Sequence, residues 1–167
     1  MRELVFTGDV RSNMGKFSNM RIPGRKELPQ APENWPLTLC PGSMNIGLSD
    51  DGFPAKFQAL GEKEGVKKLD EGNFVPEFII PYNDIANNSL APKAGSPLRG
   101  YAQVWRAIIT VPVSGRSAEC WLLRRIDSGI KRQIELVSEK RLKTELGVDD
   151  GAAVVVKVLE GAARKSE

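Results

Sequence analysis

The 167-residue sequence contains no histidine. This absence excludes Ser-His-Asp and Cys-His catalysis and the HExxH metalloproteases, and it removes the commonest general base near neutral pH. Chemistry must then depend on carboxylates, cationic side chains, backbone amides or a bound metal ion. Phosphoryl transfer is compatible with this set of groups, because positioning and charge neutralisation supply most of its catalysis.

Cysteine is scarce as well, with Cys40 and Cys120 the only two in the chain. They form no CxxC pair and have no histidine to join them, which excludes the usual zinc sites. Cys120 lies in an apolar strand pattern that predicts a buried core thiol. A disulfide between the two cysteines is an open alternative.

Long apolar runs are also missing. No stretch is long enough to span a membrane, and Met1-Arg2-Glu3 does not begin a signal-peptide pattern, so we expect a cytoplasmic protein without a membrane partner. The length predicts one domain over residues 1–167, with a flexible tail at 162–167. The formal net charge of +3 is compatible with a small anionic ligand and does not indicate a nucleic-acid binder.

Most of the sequence consists of short apolar segments separated by turn residues. They predict strands at residues 4–10, 45–48, 74–81, 101–113, 119–126, 133–137 and 153–159. Helices are predicted at 54–69 and between Ser138, the expected N-cap, and Leu146. Loops are predicted at 11–39 and 86–100. Many short strands with one or two short helices indicate a mainly β protein, a small β-barrel.

A proline-glycine turn precedes the first candidate site. Pro41 and Gly42 lead into Ser43 and Asn45, which are two residues apart and therefore leave the same face of a strand. A hydroxyl and a carboxamide side by side suit a hard cation such as Mg²⁺, which usually keeps waters and is shared with substrate phosphates. The alternative is a turn in which the Asn45 side chain hydrogen-bonds the backbone.

A run of cations lies in the C-terminal half of the chain. Residues 124–143 contain seven cationic side chains and three acids. A solvated surface is the ordinary explanation for such a run, and an anion site is the functional alternative. Lys140 and Lys143 lie where the second helix is expected to begin, and the N-terminal amides of a helix favour a phosphate.

Three segments in the same order together resemble the archaeal CTP-dependent riboflavin kinase family. The first segment, residues 8–15, is similar to the family's glycine-rich G-x-V-x-S-G-x-G stretch, and the second, residues 41–45, resembles its P-G-T-L-N motif. The third combines residues 134–137, 141–143, 146–148 and 150–151, which together resemble the family's I-E-I-I-A-P-x-x-L-R stretch and its closing L-x-D-G-D turn.

The resemblance implies a six-stranded cradle-loop barrel of the swapped-hairpin kind. It also implies an enzyme that transfers the γ-phosphoryl group of CTP to riboflavin and so forms FMN, with Mg²⁺ held by Ser43 and Asn45. The implied nucleotide-binding residues are Met14, Gly15, Lys16, Lys140, Arg141, Leu142 and Lys143. Residues 49–100 match the family poorly, and their role is not implied by the resemblance.

The resemblance assigns the flavin to a further set of residues. Glu135 matches a flavin-binding glutamate that orients the substrate and can take the proton of its hydroxyl, which makes it the candidate catalytic residue. Asp127 stands where the family has a threonine near the flavin phosphate. Its charge would repel the phosphate of FMN, and the neighbouring Ser128 can supply the contact instead. Asn13 replaces the family's second glycine in the nucleotide loop, where asparagine tolerates a left-handed backbone.

Two other functions are open on the sequence alone. One is a non-catalytic nucleotide- or flavin-binding barrel, and the other is a nucleic-acid-binding module of the related swapped-hairpin barrels that uses the basic run. A kinase predicts turnover, a binder predicts affinity without turnover, and a nucleic-acid module predicts affinity that falls steeply with salt. Trp105 and Trp121 are candidates either for stacking on a flavin or for filling the barrel core.

Overall fold

Seven strands and two α-helices form the regular structure of this computed structural model, which describes residues 2–12, 21–48, 62–130 and 132–161. The strands are β1 Glu3–Arg11, β2 Met44–Leu48, β3 Phe78–Ile80, β4 Ala102–Thr110, β5 Ser117–Arg125, β6 Gln133–Val137 and β7 Ala153–Leu159. The helices are α1 Glu62–Asp70 and α2 Leu142–Leu146, and a 3₁₀ turn covers Tyr82–Asp84.

Antiparallel pairing closes six of these strands into a barrel. Their order is β4-β5-β6-β2-β1-β7, and β7 returns to pair with the second half of β4. β3 pairs with the first three residues of β4 and lies outside the barrel. The prediction of a mainly β, six-stranded barrel with one or two short helices is therefore confirmed.

Two of the strand predictions match the structure at both ends. β6 and β7 have the predicted bounds 133–137 and 153–159. The strand predicted at 74–81 is reduced to β3, because the Phe74 carbonyl accepts from the Trp105 indole, the Val75 N–H donates to the Glu160 carboxylate, and Pro76 has no N–H for a strand ladder.

The first helix overlaps its prediction only in part. Residues 62–70 form α1, while residues 54–61 lie outside the described part of the chain, as does the predicted tail at 162–167. No helix among the described residues is long and apolar enough to cross a membrane.

The second helix begins later than predicted, and Ser138 is not its N-cap. The helix begins at Leu142, and Arg141 precedes it without a side-chain capping bond. The Ser138 hydroxyl instead accepts a hydrogen bond from the Lys140 N–H at 3.3 Å, which closes a local turn in place of the first helical turn. Gly147 follows the helix with a φ of +64°, a left-handed conformation that glycine adopts at little cost.

Apolar side chains cover both faces of β5 and β6. Inside the barrel, one buried cluster includes Leu122 of β5 and Ile134 of β6. On the outer face, Trp121 and the loop residue Trp35 belong to a second cluster, and their ring centroids lie 5.1 Å apart. The Trp35 indole N–H donates to the Pro23 carbonyl at 3.0 Å, which fixes this loop as an outer layer. Both faces of β5 and β6 are therefore buried, one inside the barrel and the other in the outer cluster.

The structure decides two alternatives that the sequence leaves open, namely the role of the two tryptophans and a disulfide between the two cysteines. Trp105 is 0% exposed and donates its indole N–H to the Phe74 carbonyl, so it fills the barrel core, whereas Trp121 is buried in the outer cluster against Trp35. Cys40 and Cys120 are free thiols, which excludes a disulfide between them. Cys120 is buried as predicted, and desolvation raises the pKa of its thiol to about 12.

Candidate functional site

An open cavity of about 200 Å³ lies where the ends of β1 and β6 approach the turn before β2 and the start of α2. Among the described residues that line it, four have cationic side chains, namely Arg11, Lys140, Arg141 and Lys143. We call it the basic cavity. Its other lining residues are Ser12, Cys40, Pro41, Gly42, Ser43, Met44, Leu136, Val137, Ser138 and Leu142.

Strand pairing and one tight turn form the walls of this cavity. β2 pairs with β1 on one side and with β6 on the other, so the three strands are neighbours. In the turn before β2, Gly42 has a φ of +81°, which glycine permits without strain. The Cys40 N–H then donates to the Ser138 carbonyl at 2.9 Å and ties this turn to the end of β6.

The basic cavity collects side chains from all three segments. The predicted nucleotide-binding residues that line it are Lys140, Arg141, Leu142 and Lys143. The other predicted ones lie outside the described residues: Met14, Gly15 and Lys16. Ser43 of the second segment lines the same cavity. The structure adds Arg11 and Ser12, which belong to the first segment but had no predicted role.

Lys143 is held in a network of three side chains at this cavity. Its Nζ lies 2.7 Å from Ser12 Oγ and 2.7 Å from Asp150 Oδ1. The Ser12 hydroxyl donates to the same Asp150 oxygen at 2.7 Å. The hydrogen bonds from Lys143 and Ser12 lower the pKa of the Asp150 carboxyl. Lys143 and Ser12 line the cavity, while Asp150 contacts them from beside it.

Ser43 and Asn45 are both close to a buried carboxylate. The Ser43 hydroxyl donates to Glu135 Oε2 at 2.9 Å, and Asn45 is the cross-strand partner of Glu135. Ser43 is half-buried, whereas Asn45 and Glu135 are 1% and 6% exposed. The sequence singled out Ser43 with Asn45 as metal ligands and Glu135 as a flavin residue, and the strand register brings the three into one group.

The donor set of this group consists of oxygen atoms. A hydroxyl, a carboxamide and a carboxylate are ligands that a hard cation such as Mg²⁺ accepts, usually together with waters. Among the described residues, no cluster of three or more His, Cys, Asp or Glu side chains could hold a metal ion. A magnesium site here would therefore use the neutral oxygens of Ser43 and Asn45, with the negative charge of Glu135 beside them.

Arg125 adds a positive charge to the buried group. Burial lowers the pKa of the Arg125 guanidinium, the negative charge of Glu135 opposes that shift, and the positive charge of Arg99 adds to it. Arg125 also donates from Nη1 to Asn88 Oδ1 at 2.8 Å. The charge of Glu135 is therefore balanced by a neighbour that no sequence motif indicated.

The residues expected at the flavin phosphate border other cavities. Asp127 is exposed, has a φ of +64° and accepts a hydrogen bond from the Ser96 hydroxyl. With Asp70 it borders an open depression of about 280 Å³. Ser128 borders that depression and also a small cavity of about 10 Å³, which Glu135 lines as well. A cavity of that volume holds about one water molecule and is too small for a flavin ring.

The basic run divides into two environments. Arg124 and Arg125, at the end of β5, are only 5% and 7% exposed, so a solvated surface does not describe them. Arg124 donates to both carboxylate oxygens of Asp70, at 2.6 and 2.9 Å, and thereby joins β5 to the end of α1. Lys140 and Arg141 are exposed beside the basic cavity. The cationic surface that a nucleic acid could use is accordingly smaller than the sequence indicates.

Neither a protein-family model nor a curated protein matches this chain. The functional interpretation therefore depends on the geometry of the basic cavity and on the three segments. Those segments meet in space, since Ser12 and Lys143 are 131 positions apart and in hydrogen-bond contact.

Proposed function

We propose that the protein is a phosphotransferase that binds a nucleoside triphosphate in the basic cavity and transfers its γ-phosphoryl group to riboflavin, giving FMN. One observation carries the proposal: Ser43 and residues 140–143, three of which are cationic, come from different parts of the resemblance and line the same cavity. CTP as the donor rests on the resemblance to the archaeal kinases alone.

The charges around the cavity suit a polyphosphate. Arg11, Lys140, Arg141 and Lys143 supply positive charge, and a guanidinium can bind phosphate oxygens through two parallel hydrogen bonds. Fixed cations of this kind neutralise the charge of the phosphates as the phosphoryl group moves between two oxygens. Such neutralisation, with positioning, is the main contribution of a protein to phosphoryl transfer.

The oxygen atoms beside the cavity fit a magnesium ion. Ser43 and Asn45 would hold it, because their hydroxyl and carboxamide oxygens are ligands that hard cations accept, with the carboxylate of Glu135 beside them. When bound, Mg²⁺ supplies further neutralisation of the phosphate charge.

Glu135 is the carboxylate best placed to handle the acceptor hydroxyl. It lies between Ser43, which lines the basic cavity, and Ser128, with which it shares the small cavity. As a general base it would take the proton of the ribityl hydroxyl. The hydroxyl oxygen then forms the new bond to the γ-phosphorus, and the nucleoside diphosphate leaves with the electrons of the broken bond.

A second candidate function is a nucleotide-binding barrel without kinase activity. The observation that favours it is the size of the cavity shared by Glu135 and Ser128, which at about 10 Å³ does not admit a flavin ring. This function predicts the same binding of a nucleoside triphosphate to the basic cavity and no formation of FMN.

The two functions are separated by a turnover assay. The purified protein is incubated with riboflavin, Mg²⁺ and each of CTP, ATP, GTP and UTP, and FMN is quantified by chromatography. We expect FMN in the presence of CTP. Binding of CTP without FMN from any of the four nucleotides would favour the non-catalytic barrel, and absence of both binding and FMN would contradict both functions.

Two matched variants test whether FMN formation depends on the basic cavity. Arg141→Gln removes a cation that lines the basic cavity, and we expect it to lower the rate of FMN formation at subsaturating CTP about tenfold. Lys157→Gln removes an exposed cation of β7 that does not line the cavity, and we expect a change of less than about twofold. Equal losses in the two variants would place the nucleotide elsewhere.

A further inference from the structure

The carboxylate of Asp150 makes the contacts at Lys143 and Ser12 that an anionic ligand would need. Lys143 Nζ and Ser12 Oγ each lie 2.7 Å from Asp150 Oδ1. An ammonium and a hydroxyl that converge on one carboxylate oxygen form the same arrangement that would hold a phosphate oxygen. Since both groups line the basic cavity, the Asp150 carboxylate and a bound phosphate compete for the same two partners.

The backbone holds Asp150 in this place whether or not its side chain is engaged. The Gly151 N–H donates to the Val10 carbonyl at 2.7 Å, and the Val10 N–H donates to the Ala152 carbonyl at 2.9 Å. The turn that contains Asp150 is thereby fixed to β1 next to Ser12. The Asp150 side chain is 53% exposed, so it can rotate into solvent without a burial cost.

We propose that Asp150 is a built-in competitor of the phosphate ligand: it occupies Lys143 and Ser12 in the unliganded protein and is displaced when a polyphosphate binds. The proposal rests on the basic cavity being the nucleotide site. Its consequence is that binding of a polyphosphate must first break the Lys143–Asp150 ion pair, which weakens affinity. Asp150 thus sets how tightly the cavity retains nucleoside triphosphate and nucleoside diphosphate.

A different role for Asp150 makes the opposite prediction. If Asp150 positions Lys143 for the ligand, its removal lets the Lys143 side chain move and affinity falls. If Asp150 competes, its removal raises affinity. The sign of the change therefore distinguishes competition from positioning.

The test is isothermal titration of inorganic tripolyphosphate into the full chain at fixed ionic strength. We expect Asp150→Asn, which keeps the shape of the side chain, to tighten binding about five- to tenfold, the size expected from loss of a partly exposed ion pair together with a nearby like charge. Asp149→Asn is the matched control, since Asp149 carries the same charge, is exposed and does not line the basic cavity. We expect it to change affinity by less than about twofold.

A second comparison, made in a protein that lacks Lys143, isolates the competition for this side chain. In the Lys143→Gln protein the ion pair is gone and only the like-charge repulsion and the Ser12 contact of Asp150 remain, so adding Asp150→Asn should tighten tripolyphosphate by only about two- to threefold. A similar gain from Asp150→Asn with and without Lys143 would contradict the proposal, because only general charge repulsion would then remain. Weaker or unchanged binding in Asp150→Asn alone would also overturn it, and thermal unfolding of each variant verifies that the fold is kept.

The outcomes also separate this inference from the proposed kinase function. If tripolyphosphate binds and Asp150→Asn tightens it through Lys143, the competitor role holds even when no FMN is formed. If FMN is formed and Asp150→Asn does not tighten binding, the kinase function holds and the competitor role fails. If tripolyphosphate binds neither the wild-type protein nor Asp150→Asn, both fail, because the basic cavity is then not an anion site.

Discussion

The basic run has opposite environments at its two ends. One end consists of Arg124 and Arg125 at the end of β5, and the other consists of Lys140 and Arg141 before α2. The first two are buried and lie against carboxylates or amides, while the second two are exposed beside a cavity. Consecutive residues of a strand point to opposite faces, and both faces of β5 are covered by apolar side chains. Charge in this run is thus structural at one end and accessible to a ligand at the other.

The difference shows that burial decides what a cation does for the protein. A buried charge must be paired, so losing its partner is costly, whereas an exposed cation adds little to stability and can be used for binding. Substitutions at the β5 end should therefore change the free energy of unfolding. Substitutions at the α2 end should change ligand affinity.

The largest expected effect is on stability, at Arg124. Arg124→Met removes both hydrogen bonds that the guanidinium donates to Asp70. We expect the free energy of unfolding to fall by about 2 kcal/mol, because two charge-assisted hydrogen bonds are lost while the Asp70 carboxylate, which is 28% exposed, stays partly solvated. Urea denaturation measures it. A loss below about 0.5 kcal/mol, the size of an ordinary surface substitution, would mean that this pair does not stabilise the fold.

The next effect concerns the buried oxygen group beside the cavity. Asn45→Ala removes a carboxamide that we propose as a magnesium ligand, and we expect the apparent affinity for Mg²⁺ in FMN formation to fall about 10- to 100-fold. Raising the Mg²⁺ concentration should restore part of the rate. Full turnover of the variant at limiting Mg²⁺ would show that Asn45 does not hold the metal.

A smaller effect is expected at the exposed end of the basic run. Lys140→Gln and Arg141→Gln should each weaken CTP binding about five- to tenfold, because each removes one charge-assisted contact in a partly solvated site. Riboflavin affinity should change by less than about twofold, and the free energy of unfolding by less than about 0.5 kcal/mol. Calorimetric titration with both ligands tests this division, and equal losses for CTP and riboflavin would contradict it.

The smallest effect is expected at Asp127. Asp127→Asn should alter FMN affinity by less than about twofold, because Asp127 is exposed and borders a depression other than the basic cavity. Asp127→Thr is a poorer probe, since its φ of +64° disfavours a β-branched residue and should cost about 1 kcal/mol of stability. A several-fold gain in FMN affinity in Asp127→Asn would place the flavin phosphate at this turn after all.

Much of the barrel is predictable from the sequence because its strands alternate or are bounded by turn residues. The outer layer around Trp35 is not, since apolar residues scattered among prolines in a loop follow no period. The late start of α2 is a similar case, because the Ser138 hydroxyl hydrogen-bonds the Lys140 N–H and closes a local turn.

The candidate site was predictable only in pieces. Ser43, Asn45 and Glu135 stand out in their own segments, but their contact depends on the pairing of β2 with β6 across 92 positions. Arg125 carries no motif signal of its own, and Asp150 stands out only as part of the closing turn at residues 150–151, with no role implied for it. Their roles follow from which groups the strand register and the turn before β7 place beside them.

The basic cavity is the proposed nucleotide site. The decisive measurement is an NMR titration of CTP into ¹⁵N-labelled protein with Mg²⁺. The change in the amide chemical shift is measured for each residue. We predict the largest shifts at residues 140–143, Ser43 and Ser12, with little change at Arg124 and Asp127. Shifts centred on Asp127 or Arg124, or no shifts at millimolar CTP, would contradict the claim that nucleotide binds where the exposed end of the basic run meets Ser43.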